Sequence, residues 1–130
     1  MRPTARSSPS TLRSSMFDWE AYLLLARELI VSPAEVVAEA AWRAAASRAY
    51  YAAHHTGRHY LEVNVGFERG DESIHRAVML GLQVEMEEVA VDLERLFKNR
   101  VHADYEARAF TRGNAEHAVE LAASIVDRLR

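Results

Sequence analysis

All three prolines of this chain lie at or before position 33, and the rest of the sequence runs without one. Proline lacks an amide proton and clashes with the preceding turn, so it is the residue that interrupts helices most strongly. Beyond Pro33, alanine, leucine, glutamate and arginine recur at helical spacing, and the alternation of a strand is scarce. The chain is therefore expected to be all-α. At 130 residues it has the length of one domain, and 49% hydrophobic residues can build a core without disulfides or metals.

The pattern places five helices. Helix 1 is expected from Asp18 to Val31, with Tyr22, Leu25 and Leu29 on its apolar face. Ser32-Pro33-Ala34-Glu35 reads as a helix start: a serine cap, proline at the first helical position, and glutamate three residues after the cap. Helix 2 then continues to about Val63, with Gly57 as a possible bend. Asn64 to Gly70 is a loop. Asp71 or Ser73 caps helix 3, which carries Ile74, Val78 and Leu82. Helix 4 covers Met86 to Ala107, with Glu85, Glu87 and Glu88 near its positive end. Arg112-Gly113-Asn114 breaks the chain, and helix 5 runs to the end on Ala118, Leu121, Ile125 and Leu129. Four or five helices joined by short loops predict an antiparallel bundle.

Residues 1–15 differ in composition. They hold Arg2, Arg6 and Arg13, five serines, two prolines and no acid. They also lack the apolar centre of a secretory signal. They are expected to be a disordered basic leader, or translation from a start upstream of the true one at Met16, with a single helical domain at 16–130. That domain carries 13 Lys+Arg against 19 Asp+Glu, a net charge of −6. Phosphate affinity comes largely from neutralising cations, so an acidic domain must contact nucleic acid through a local cluster. The absence of cysteine removes disulfides and thiolate metal sites and suits a reducing, cytoplasmic compartment. No apolar run approaches the ~20 residues of a membrane helix, and no membrane partner is expected.

Two segments place arginine beside tyrosine within these helices: Ser47-Arg48-Ala49-Tyr50-Tyr51-Ala52 and Arg100-Val101-His102-Ala103-Asp104-Tyr105. A guanidinium is always charged, so near an apolar stripe it needs a carboxylate, a phosphate or an interface. On a helical wheel, Met86, Val89, Ala90, Leu93, Leu96, Phe97 and Val101 share one stripe of helix 4. Arg100 and Asp104 fall inside it, four residues apart. Arg95, Lys98, Asn99, His102 and Glu106 fall on the charged side. On helix 2, Ala38, Ala41, Ala45, Ala49 and Ala52 form a small-residue seam, with Arg48, Tyr51 and His55 at its edge. If helices 2 and 4 are neighbours, Arg48, Tyr51, Arg100, Asp104 and Tyr105 converge on one polar pocket. The plainer reading is a salt-bridge network that only fixes helix register. The wheel also sets Tyr50 and Tyr51 about 100° apart, so one of them is central.

These residues resemble the HEPN domain family, specifically a branch marked by SRAYYA and, on a later helix, RxxADY. Ser47 to Ala52 and Arg100 to Tyr105 carry both motifs intact, and Met16-Phe17-Asp18-Trp19 followed by Tyr22-Leu23 also looks like that branch. The resemblance implies a four- to five-helix bundle that forms a homodimer through its motif-bearing helices. It also implies a metal-independent ribonuclease toxin of a toxin-antitoxin or defence system, with RNA as substrate and a minimal nucleotidyltransferase as antitoxin. The alternative it leaves is a non-catalytic module that pairs with such a nucleotidyltransferase. No cofactor is implied.

The catalytic signature in that family is an arginine, four to six residues, then a histidine. Here Arg48 to His54 or His55, Arg69 to His75, Arg95 to His102 and Arg112 to His117 all satisfy it. With so many arginines, roughly two such spacings arise by chance. The Arg100/Asp104 side is preferred, because wheel and motif agree there, and His102 is a secondary candidate. His55 and His59, four apart, could share a metal, but no third ligand accompanies them and none is expected. Trp19 and Trp42 read as core or dimer anchors, with nothing in the sequence to mark them as stacking platforms, and Gly66 and Gly70 as parts of a plain connector.

Overall fold

The computed structural model describes residues 16–130; the expected leader at 1–15 lies outside the described residues. Five α-helices follow one another: α1 (Ala21–Val31), α2 (Ala38–Asn64), α3 (Ile74–Glu85), α4 (Glu87–Tyr105) and α5 (Arg112–Arg128), with a 3₁₀ turn at Glu35–Val37 before α2. No strand occurs among the described residues, and no helix there is long and apolar enough to cross a membrane. The all-α bundle expected from the sequence is what forms.

The long helix α2 is the axis of the bundle, touching all four other helices. Its alanines explain how. Ala45, Ala49, Ala52 and Ala53 are fully buried, and without longer side chains they let α1, α4 and α5 approach closely. Ala38 and Ala41, the N-terminal part of the expected seam, are only half-buried. The core around this axis is built from Leu61, Leu82, Leu93, Leu96, Phe110 and Ile125, all almost inaccessible. On α4, Val89, Ala90, Leu93 and Leu96 are buried as the wheel requires.

Several local signals act differently from their expected role. Helix α1 begins at Ala21 rather than Asp18; Asp18 instead accepts a hydrogen bond from the Glu20 amide ahead of the helix. Ser32 does not cap α2. It closes α1, because a residue before proline is pushed out of helical geometry. The chain then makes the 3₁₀ turn, whose Val36 is 92% exposed, and α2 starts only at Ala38. Gly57 makes room for α3. A Cβ there would meet Leu82 at 3.1 Å and Val78 at 3.3 Å, so its bareness lets α3 lie close. Ser73 is the cap of α3, accepting from the Arg76 amide. Arg112-Gly113-Asn114 is the first turn of α5, secured by a reciprocal box in which Thr111 and Asn114 each bond the other's backbone amide.

Candidate functional site

The α2 and α4 helices pack side by side and bring the two arginine-tyrosine segments together. Arg100 is the hub. Its Nε donates to Asp104 Oδ2 at 2.9 Å, one turn further along α4, and its Nη2 donates across the interface to Tyr51 Oη, also at 2.9 Å. Asp104 is shared: Ser47 Oγ on α2 donates to the same Oδ2 at 3.0 Å. The Arg100 guanidinium carbon also lies 5.2 to 5.6 Å from the ring centres of Tyr50, Tyr51 and Tyr105. Burial alone would weaken its charge, but Tyr51, Asp104 and Tyr105 more than offset this and raise its pKa. The ion pair is 17% and 26% exposed at its two side chains, so it stands at the lip of the core.

Arg48 completes the group from the other side of Tyr51. Its guanidinium carbon is 5.3 Å from the Tyr51 ring centre and 5.0 Å from that of Tyr22 on α1, and Nη2 donates to Ser47 Oγ at 3.4 Å. Among the described residues no carboxylate pairs with it. The other half-buried arginines among the described residues, Arg43, Arg100 and Arg128, each have one: Glu39, Asp104 and Asp92. The structure thus brings Arg48, Tyr51, Arg100, Asp104 and Tyr105 into one connected group: both guanidiniums lie against the Tyr51 ring, and Asp104 and Tyr105 join through Arg100. Tyr105, 72% exposed, forms the outer rim.

Tyr51 is the central tyrosine of the pair. Tyr50 turns inward, 2% exposed, and its hydroxyl lies 2.5 Å from Nδ1 of His75 and 3.4 Å from Nδ1 of His54. Burial pushes the Tyr50 phenol pKa up and the His54 imidazole down to about 4. His75 stacks on Phe97 at 3.7 Å and faces Glu94 at 3.8 Å; burial holds its pKa down as well. These groups form the floor beneath Arg100. The sequence offers Tyr50 as the alternative central tyrosine and His54 and His75 as spacing matches, but their packing beneath Arg100 and the Ser47 bond to Asp104 depend on contacts between helices that spacing along one helix does not show.

The histidines matching the arginine-histidine spacing fall in different places. His102 is not in the cluster: its Nε2 lies 3.1 Å from the Ala109 carbonyl and its ring meets Phe110 edge-on. Its potential partner Arg95 pairs with Asp92. His54 is buried. His55 is the one that reaches the site, stacked against Tyr51 with ring centres 6.1 Å apart and against Trp19 at 3.5 Å. It lies seven residues after Arg48, two turns along the same face. His59 is exposed, and no third metal-ligating side chain among the described residues joins the two.

A different arginine fixes the end of α4. Arg43 Nη1 donates to the carbonyls of His102, Ala103 and Glu106, and Nη2 to that of Arg108. The Ala103 and Glu106 carbonyls belong to the end of α4, where a helix leaves acceptors unpaired and a cation is favoured, and the Arg108 carbonyl lies just beyond it. Glu39 holds Arg43 at 3.0 Å and accepts from the Phe110 amide; that amide, then Arg43, lowers the Glu39 pKa. This brace sets the position of Asp104 and Tyr105.

The fold and site together describe a class of small helical proteins in which an arginine-carboxylate-tyrosine cluster sits between the second and fourth helices. The model of the HEPN domain matches residues 20–130, and the chain belongs to that family. Comparison with curated proteins returned no match.

Proposed function

We propose that this HEPN protein is a metal-independent ribonuclease of the toxin or defence kind, acting in a cleft shared by two copies of the chain. The observation that carries the reading is Arg48, half-buried with aromatic rings on two sides and without a carboxylate. A cation held in that state is ready for an external anion. An RNA phosphate supplies one. Arg48 and Arg100 then share the charge that builds on the phosphate oxygens as the phosphorus is attacked.

His55 is the base within reach. Burial first, and then Arg58, hold its pKa down, so its imidazole is neutral near pH 7 and can accept the proton of a ribose 2′-hydroxyl. The 2′-oxygen forms the new bond to phosphorus, and the 5′-oxygen leaves. The proton that His55 takes up passes to the departing 5′-oxygen, which regenerates the base and leaves a 2′,3′-cyclic phosphate. Asp104 and Ser47 orient Arg100, and Tyr51 keeps both guanidiniums against one ring. The net charge of −6 on 16–130 favours such a local contact over a long phosphate track.

One observation favours the second reading, a non-catalytic module that holds a minimal nucleotidyltransferase through the same face. Arg100 is already satisfied within the chain by Asp104 and Tyr51. The two readings separate when wild type, Arg48→Ala and Arg100→Ala are expressed in a permissive host and growth and bulk RNA are followed. Growth arrest with RNA loss, relieved by a soluble Arg48→Ala protein, supports the nuclease. Harmlessness of all three as soluble dimers favours the module.

A further inference from the structure

Beside Arg48 stands a group of rings that the proposed chemistry does not use. Phe17, Trp19 and Tyr22 meet pairwise at 4.9, 5.3 and 5.5 Å between centres, at edge-on or tilted angles. Trp19 is backed by His55, which covers one of its faces at 3.5 Å. Phe17 is 54% exposed, so one side of its ring stays open while Trp19 and Tyr22 lie against it. The Tyr22 ring lies 5.3 Å from Phe17 and 5.0 Å from the Arg48 guanidinium, so the open ring and the unpaired cation flank a common neighbour.

We infer that Phe17, Trp19 and Tyr22 are a base-stacking shelf next to the Arg48 phosphate contact, and that the ligand is single-stranded RNA. A nucleotide carries an anion and a flat apolar face within one unit, which is the pair of features the site presents. Every base has a π-face, so stacking on such a shelf tolerates sequence. A duplex keeps its base faces buried against one another and cannot lay one on Phe17. Residues 1–15, which precede the shelf, contain no carboxylate to compete for Arg48. The assignment rests on the proposed phosphate contact, and the test distinguishes the failure of each.

The full-length protein is titrated with a labelled 2′-O-methyl oligoribonucleotide, which cannot be cut, both single-stranded and annealed to its complement. Wild type is expected to bind the single strand at least about tenfold more tightly, since stacking needs a free base. Phe17→Ala weakens that binding about tenfold without changing its salt dependence, and Phe17→Tyr restores it. Arg48→Gln weakens binding and reduces the salt slope by about one. Unchanged affinity in Phe17→Ala beside a weakened Arg48→Gln refutes the shelf and leaves the phosphate contact standing. No binding by wild type refutes both. A Phe17→Ala protein that loses self-association while keeping its RNA affinity shows the shelf to be a contact between copies, which also overturns the inference.

Discussion

Arg100 of α4 and Tyr51 of α2 are joined by a 2.9 Å hydrogen bond that ties together the two segments most distinctive in the sequence. The same guanidinium holds Asp104, which Ser47 holds in turn, so the contact is one link of a network spanning both helices. Tyr51→Phe removes a single hydrogen bond and is expected to cost about 1 kcal/mol in urea unfolding. Asp104→Ala strips Arg100 of its carboxylate and Ser47 of its acceptor; about 2–3 kcal/mol is expected. The double variant should cost less than the sum, because both changes act on Arg100. Strict additivity would show that the network is not coupled.

Arg43 is expected to be the more important arginine for stability. It serves four carbonyls at and just beyond the end of α4 and pairs with Glu39. Arg43→Ala leaves several partly buried carbonyls without a donor, a loss of about 2–4 kcal/mol. Arg43→Lys should recover little, since an ammonium cannot span the same fork of acceptors. Thermal denaturation of the two variants checks this; wild-type stability in Arg43→Lys would show that charge alone suffices.

The two glycines between α2 and α3 should respond unequally to alanine. At Gly81 a new Cβ would stand 2.7 Å from Cδ1 of Leu61, a side chain with no exposed surface and little room to move. Overpacking of that kind costs about 1–3 kcal/mol. At Gly57 the nearest atoms are at 3.1 and 3.3 Å, and the helix propensity gained by alanine, about 1 kcal/mol, offsets the squeeze. Gly81→Ala should therefore melt below Gly57→Ala.

Acid should destabilise the fold through the histidines under Arg100. The His54 pKa falls to about 4 in the folded state, against an ordinary value near 6.5, because it is buried and surrounded by other cations. Between those values the unfolded chain binds the extra proton, so stability rises with pH in that window and is lost as pH drops from 6.5 towards 4. The loss attributable to His54 is about 3 kcal/mol. His55 and His75, also lowered, act in the same direction. A His54→Gln protein that remains folded should show a flatter dependence of urea midpoint on pH between 4 and 6.5.

The sequence disclosed the features governed by short spacings. The lack of proline after position 33 and the apolar stripe of α4 gave the bundle, and the four-residue interval of Arg100 and Asp104 gave their ion pair. What stayed hidden depends on neighbours far along the chain. Arg43 caps a helix whose end lies about sixty residues away, and Tyr50 meets His75 from another helix. Ser32-Pro33 misled because the serine cap signal and the pre-proline restriction occupy one residue, and the restriction prevailed. His102 was weighed on spacing to Arg95, while the fold turned it to the Ala109 carbonyl.

The most direct test of the anion site is made with purified wild-type and Arg48→Ala proteins, incubated with structured and unstructured RNA in the presence of EDTA. Arg48→Ala loses contacts to Tyr22, Tyr51 and Ser47, so both proteins are compared at a temperature where circular dichroism shows each fully folded. The account predicts cleavage by wild type that chelation does not abolish, reduced at least about a hundredfold in Arg48→Ala, the scale seen when one charge-stabilising donor is removed. RNA left intact by wild type, or cut equally by both proteins, would contradict it.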